Sequence, residues 1–142
     1  MVETKRTLIF IDEKTFPIYK KLMKSKYFKN NLHLFTCAVL VGKFIIKHSK
    51  SIDKKKDYIR VNDNRNDDNL TILKCLVISD EGKVNILNNE DELFEYCEKY
   101  ANLGIHEIYN WYTDPECKFN QKLAEVLLGF WESIDVNSLK NI

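Results

Sequence analysis

Glycine and proline are scarce in this chain, with four glycines and two prolines among 142 residues. β-Sandwiches and barrels need these residues at their many tight turns, so their scarcity favours helices. The hydrophobic share of 44% and the charged share of 30% are those of a globular protein. A chain of this length can bury one core but is short for two, so we expect a single helical domain over residues 1–142.

Long apolar runs are also missing. No stretch approaches the roughly 18 apolar residues that a membrane-spanning helix requires. The first residues show no progression from charged to apolar to small side chains, which a secretion signal would have. We therefore expect a cytoplasmic protein that makes no membrane contact.

No CxxC pair occurs, because the four cysteines stand far apart as Cys37, Cys75, Cys97 and Cys117. Zinc sites usually take close ligand pairs, so this spacing favours reduced cysteines that act as small core side chains. Phosphate-binding glycine loops, GxSxG, HExxH and histidine pairs at ligand spacing are missing too. We predict no catalytic residue, no metal site and no cofactor, and hence a protein that is not an enzyme.

Helical periodicity is the main pattern that the chain does contain. Helices are predicted over residues 15–28 and 34–46, after the capping residues of 67–69, after Asn89, and from Asp114-Pro115 onward. Segment 34–46 also allows a strand, although thirteen residues is long for one. The expected fold class is mainly α: a compact single-domain bundle of about five or six helices with at most a minor extended pair.

Polar segments separate these helices. Residues 1–12 are predicted to form an N-terminal arm or a short strand, and residues 134–142 a polar tail. Residues 47–69 read as an exposed polar loop with one extended piece at Tyr58–Val61, and residues 84–87 as a second extended piece. The chain should therefore contain little sheet.

Two glycines have predicted roles. Gly42 lies in the apolar helix and should let a neighbour approach closely. Gly104 follows a helix whose buried face carries Leu93, Cys97 and Ala101, and it should end that helix in the left-handed conformation. The sequel from Ile105 would then form a second short helix at an angle.

Charge is distributed unevenly. Residues 1–60 hold 15 Lys and Arg against 5 Asp and Glu, a balance of +10, and residues 61–142 hold 7 against 16, a balance of −9. Such asymmetry suits a basic nucleic-acid face, contacts between copies or a charged partner, and also an ordinary mixed surface. The candidate nucleic-acid residues are the lysines of helix 15–28 and of a second patch: Lys20, Lys21, Lys24, Lys26, Lys54, Lys55 and Lys56.

Aromatic residues are dense towards the C-terminal half. Tyrosine and tryptophan anchor many protein interfaces, because they bury a large area and keep a polar tip. Any single one of them can equally be core. The candidate partner-binding residues are Tyr96, Tyr100, Tyr109, Trp111 and Tyr112, with Trp131 nearby in sequence.

Two segments resemble one family. Residues 94–105, FEYCEKYANLGI, resemble the "EEYAN-x-G-hydrophobic" ending of a small accessory family associated with DNA phosphorothioation (Dnd) and phage-defence loci. Residues 35–42, FTCAVLVG, resemble that family's "F-x-x-A-x-x-x-G" helix, which a basic stretch follows, here with Lys43 and Lys47. The resemblance covers about residues 14–112, and the chain departs from the pattern at Cys97 and Lys99.

The resemblance implies a locus rather than a reaction. It suggests a non-catalytic accessory or adaptor protein of a DNA-modification or antiviral defence system, which binds a larger ATPase or nuclease of the same locus. The alternative is a DNA-binding protein that uses the lysine-rich helix 15–28. A third hypothesis is a metal-dependent nuclease built on Asp63, Asp67 and Asp68. Self-association stays open.

Overall fold

Five α-helices and one small sheet form the structure, a computed structural model that describes residues 5–82 and 84–133. The helices are α1 (Phe16–Lys24), α2 (Asn31–Val41), α3 (Asp68–Glu81), α4 (Glu90–Thr113) and α5 (Phe119–Ser133), and the strands are β1 (Leu8–Asp12) and β2 (Lys55–Arg60). The predicted mainly α fold is confirmed. None of the described helices is long and apolar enough to cross a membrane.

Helix α2 forms the centre of the core. Its residues from Leu34 to Val41 are all buried, because side chains on every face are apolar or small. The helical reading of segment 34–46 is therefore correct, with a final π-helical turn over Gly42–Ile46. Lys47 then leaves the helix with a φ of 63°.

Two glycines bring α2 and α4 together. A Cβ at Gly42 would lie 2.1 Å from the carbonyl oxygen of Tyr100, and one at Gly104 would lie 1.8 Å from that of Ala38. No side chain fits at these distances, so the backbones of the two helices pack directly on each other. The close approach predicted for Gly42 is confirmed.

The role predicted for Gly104 is wrong. Helix α4 runs unbroken from Glu90 to Thr113, so no second helix leaves at an angle. Gly104 instead allows the close contact with α2. The local sequence cannot distinguish a glycine with this role from one that ends a helix. The left-handed stop is instead Gly82, with a φ of 67°, at the end of α3.

The sheet settles one predicted segment and corrects another. β1 pairs antiparallel with β2, with Leu8 opposite Arg60 and Asp12 opposite Lys55. Of the two alternatives for residues 1–12, the short strand is therefore the correct one. Segment 47–69 contains β2 and a 3-10 turn rather than a loop with an extended piece only at Tyr58–Val61. Burial of isoleucines from both strands holds the pair against the helices.

Several helix boundaries also differ from the prediction. α1 spans Phe16–Lys24 rather than 15–28, and Asn30 caps α2 by accepting a hydrogen bond from the His33 amide at 2.8 Å. Residues 84–88 form a 3-10 turn rather than an extended piece. α5 starts at Phe119, because the Asp114 carboxylate caps the turn before it, accepting from the Glu116 amide at 2.9 Å.

The predicted caps of α3 and α4 are confirmed. Asp67 accepts from the Asn69 amide at 2.8 Å, and Asn89 accepts from the Glu92 amide at 3.2 Å. Both helices thus begin where short polar side chains satisfy free backbone donors. The predicted tail 134–142 lies outside the described residues, and so does the side chain of Trp131.

Candidate functional site

Helix α4 carries all five candidate partner-binding residues, but the structure does not gather them into one cluster. Tyr96 and Tyr100 lie on one turn, with their ring centroids 5.0 Å apart. Tyr109, Trp111 and Tyr112 lie at the C-terminal end of the helix. At about 1.5 Å per residue, Tyr96 and Tyr112 are about 24 Å apart along the axis. Two separate surfaces result.

The first surface is a groove of about 340 Å³ between α4 and the end of α3, which we call the acidic groove. Tyr96 and Tyr100 line it, and both are half-buried. Its other principal lining residues are the carboxylates Asp80, Glu81, Glu92 and Glu95, with Lys99 at the same wall. The Lys99 ammonium lies 3.5 Å from Glu95, so it offsets only part of this negative charge.

A lysine of the chain itself contacts two residues of the acidic groove's wall. The ammonium of Lys43 lies 2.8 Å from Asp80 Oδ1 and 5.2 Å from the centroid of the Tyr100 ring. The Tyr96 hydroxyl donates to Asp80 Oδ2 at 2.8 Å. Carboxylate and aromatic ring together are the groups that bind an ammonium or guanidinium ion.

Asp80 is ionised, as the binding of an ammonium ion requires. Partial burial alone would raise its pKa, but the hydrogen bonds from Lys43 and Tyr96 and the charge of Lys43 outweigh that effect and lower it. The pKa of Tyr96 is raised by burial and by its bond to Asp80, so its hydroxyl keeps the proton that it donates. At neutral pH the wall therefore presents a carboxylate.

The second surface lies at the C-terminal end of α4. Tyr112 and Tyr27 are 38% and 43% exposed, and both rings pack on Phe119. These three residues, with Lys118 beside them, line a groove of about 470 Å³ that we call the aromatic groove. The fifth candidate, Trp111, is 9% exposed and belongs to the core, so it offers little surface to a partner.

Tyr109 lies between the two grooves along α4. Its hydroxyl is 3.5 Å from the Lys21 ammonium, which also lies 5.7 Å from its ring centroid. This contact ties α1 to α4. Tyr109 is therefore half-buried under a lysine rather than open to a partner.

The lysines of α1 and β2 meet at one place. Lys20 and Lys56 both lie over the ring of Phe16, at 5.5 Å and 4.6 Å from its centroid. Lys21, Lys24 and Lys26 are exposed along α1 and the turn after it. The structure thus joins the two basic patches that are far apart in sequence.

The other two lysines of this patch have different partners. Lys54 pairs with Glu13 at 3.1 Å, and Lys55 lies 5.2 Å from the centroid of the Phe10 ring. The pairing of Lys54 cancels its charge locally. Lys54 therefore adds less positive charge to the basic surface than Lys56 does, whereas the ring contact of Lys55 leaves its charge in place.

Two buried carboxylates lie on α4, and neither of them was singled out from the sequence. Glu98 is 3% exposed and binds Arg6 at 2.6 Å and the Phe10 amide at 2.7 Å. Glu90 is 2% exposed and binds Arg65 and the Arg6 amide. Both carboxylates share a helical face with the apolar residues Phe94, Cys97 and Ala101. That position in the sequence could have predicted their burial.

These two ion pairs have a structural role. They attach β1 and the segment after β2 to α4, and each carboxylate accepts a backbone amide besides its arginine. Burial raises the pKa of Glu98 despite the hydrogen bonds from Arg6 and Phe10. Burial also acts on Glu90, but the bonds from Arg65 and Arg6 prevail and lower its pKa.

Among the described residues, no three His, Cys, Asp or Glu side chains converge as a metal site would require. Asp67, proposed above as a nuclease ligand, instead caps α3 and accepts from the Asn30 amide group at 3.2 Å. Cys37 and Cys97 are buried core residues, as predicted, whereas Cys75 and Cys117 are only partly buried. Burial raises the pKa of the Cys37 thiol to about 12, which leaves it unreactive.

Comparison with protein-family models, with curated proteins and with solved structures finds no match to this chain. The features with functional chemistry are the two grooves and the basic surface that Lys20 and Lys56 form around Phe16. All three contain residues that the sequence singled out, since Tyr112 lines the aromatic groove.

Proposed function

We propose that this is a non-catalytic adaptor protein that binds a lysine- or arginine-bearing segment of a larger partner in its acidic groove. The resemblance of residues 35–42 and 94–105 to a defence-associated accessory family suggests the partner's origin. That partner would be an ATPase or nuclease of the same DNA-modification or anti-phage locus.

One observation carries the proposal: the contact of Lys43 with Asp80 and Tyr100. It is an intramolecular example of the recognition that we propose, an ammonium held between a carboxylate and an aromatic face. Glu92 and Glu95 stand beside it as exposed carboxylates and extend the same chemistry along the groove. A basic segment would complement both the charge and the rings.

The test is capture of the tagged chain, expressed at native level from its own locus, with partners quantified by mass spectrometry. Recovered partner should fall about 10-fold or more for Glu92→Lys with Glu95→Lys, because two attractions become repulsions. Tyr100→Ala should also weaken capture. Glu116→Lys is the matched control, since it reverses an exposed carboxylate outside the groove.

Circular dichroism should show that each variant is folded before capture is compared. Recovery of free protein alone from the native locus would rule out the adaptor function. Equal loss in Glu116→Lys would show that overall charge, rather than the acidic groove, governs association.

DNA binding is the second candidate function, and the meeting of Lys20 and Lys56 over Phe16 favours it. Two lysines on neighbouring elements can contact adjacent phosphates, whereas a single solvated helix face need not. Affinity for random duplex DNA should fall steeply with salt, and Lys20→Glu with Lys56→Glu should reduce both the affinity and its salt dependence. Lys74→Glu on α3 is the control. No duplex binding near about 50 mM salt would exclude this function.

A further inference from the structure

Three structural elements build the aromatic groove. Tyr27 comes from the turn after α1, Tyr112 from the last turn of α4 and Phe119 from the first turn of α5. The Phe119 ring centroid is 4.9 Å from that of Tyr27 and 5.6 Å from that of Tyr112, and Phe119 itself is 7% exposed. A buried ring thus supports two exposed ones.

Tyr27 follows a residue with an unfavourable backbone conformation. Lys26, the residue before it, has a φ of 67°, in the left-handed region that lysine rarely adopts. The Ser25 hydroxyl accepts from the Tyr27 amide at 3.4 Å and donates to the Leu22 carbonyl, which fixes the turn. Strained residues of this kind gather at binding sites, where the surrounding structure holds them in place.

Lysines lie next to the aromatic groove. Lys26 precedes Tyr27 and Lys29 follows Phe28, in a stretch of residues 20–29 with five lysines and no carboxylate. Lys118 lines the groove, and the Lys122 ammonium lies 5.3 Å from the Trp111 ring, next to Tyr112 in the helix. Asp114 and Glu116 in the turn before α5 are opposing charges, but the lysines outnumber them.

We propose that the aromatic groove binds single-stranded nucleic acid, with bases stacked on Tyr27 and Tyr112 and phosphates beside the surrounding lysines. Exposed aromatic faces among lysines provide both interactions that an unpaired strand offers. A duplex keeps its bases stacked internally and could use only the lysines. An acidic peptide would likewise satisfy the lysines and leave the two rings without a specific partner.

This inference rests on nucleic acid being a ligand, as in the second candidate function, but it assigns a different site and strand form. The duplex would contact Lys20 and Lys56 near Phe16, whereas the single strand would contact Tyr27 and Tyr112. The two can therefore fail separately.

The experiment is fluorescence anisotropy of the full chain with a labelled oligothymidylate of about 15 nucleotides, which is long enough to reach both tyrosines and the nearby lysines. A hairpin duplex and polyglutamate are the comparison probes. At about 50 mM salt the oligothymidylate should bind more tightly than the duplex. Tyr27→Ala and Tyr112→Ala should each weaken it about 5- to 100-fold, which is the effect of losing one stacked base.

Two variants distinguish stacking from folding effects. Tyr27→Phe keeps the ring and should retain affinity, and Tyr96→Ala removes a tyrosine from the acidic groove and should leave affinity unchanged. Lys20→Glu with Lys56→Glu should weaken the duplex more than the single strand. A 5-bromouridine oligonucleotide should photo-crosslink to peptides that contain Tyr27 or Tyr112, a readout that needs no substitution.

The proposal is overturned if single strand and duplex bind equally and the tyrosine variants bind like the wild type. Crosslinks confined to other peptides would overturn it too. Tyrosine-dependent binding of polyglutamate without binding of oligothymidylate would show that the groove takes an acidic partner instead. Duplex binding without single-strand preference would leave the second candidate function standing alone.

Discussion

Gly104 and Gly42 determine how closely α2 and α4 can pack. Gly42, in the π-helical turn that continues α2, faces the Tyr100 carbonyl, and Gly104 faces the Ala38 carbonyl; both distances exclude even a methyl group. Because both partners are backbone in the core of the fold, neither can move aside as a flexible side chain would. Gly82 differs, since it has a positive φ but nothing within 4 Å of the position that a methyl group would take.

Gly104→Ala should therefore lower the free energy of unfolding by about 3 kcal/mol or more, because the added methyl forces the helices apart. Gly82→Ala is the matched control and should cost only about 1 kcal/mol, the strain of a left-handed alanine. Urea denaturation followed by circular dichroism measures both. If Gly82→Ala proved the more damaging of the two, the close contact between α2 and α4 would be refuted.

At the scale of elements, α4 acts through its acidic N-terminal half, which binds β1 and the segment after β2 through Glu98 and Glu90. The Glu90 pKa, lowered in the fold, makes part of this attachment dependent on pH. An unfolded glutamate titrates near a pKa of about 4.3. Since the folded pKa is lower, the stability that Glu90 contributes is present above that value and is lost as the pH falls through the folded pKa.

Glu90→Gln should lower stability at pH 7 by roughly 2 kcal/mol, because the neutral amide binds Arg65 less strongly. The variant should then lose less further stability than the wild type as the pH falls below about 4.3. Urea unfolding at neutral and acid pH measures the difference. Because Glu98 is the same in both proteins, its raised pKa affects both alike. If the variant and the wild type lost equal stability in acid, Glu90 would not be a source of the pH dependence.

The type of a secondary-structure element was predictable where the residues of that segment alone determine it. Helix α2 is apolar on all faces, and α4 has an asparagine cap with an acidic first turn, so both follow from local residues. The pairing of β1 with β2 and the contact made by Gly104 depend on residues distant in the chain. The candidate site divides in the same way: Tyr96 and Tyr100 follow from helical spacing, whereas Tyr27 meets Tyr112 only through the tertiary fold.

For the whole molecule, the relevant feature is the separation of opposite charges along α4. The acidic groove lies around Tyr96 and Tyr100, whereas Lys21, Lys118 and Lys122 lie towards the C-terminal end of α4. About 24 Å of helix separates Tyr96 from Tyr112. Among the described residues, none lines both grooves. An adaptor with this arrangement could hold a basic protein segment and a nucleic acid at the same time.

Substitutions in the two grooves should therefore act independently. Glu92→Lys with Glu95→Lys should reduce partner capture and leave oligothymidylate affinity within about 0.5 kcal/mol of wild type, and Tyr27→Ala should do the reverse. The combined variant should show the sum of both losses, as distant sites without shared partners do. Capture repeated with saturating oligonucleotide should retain the partner. Release of the partner under those conditions would mean that the ligands compete for one surface, and the bridging arrangement would be wrong.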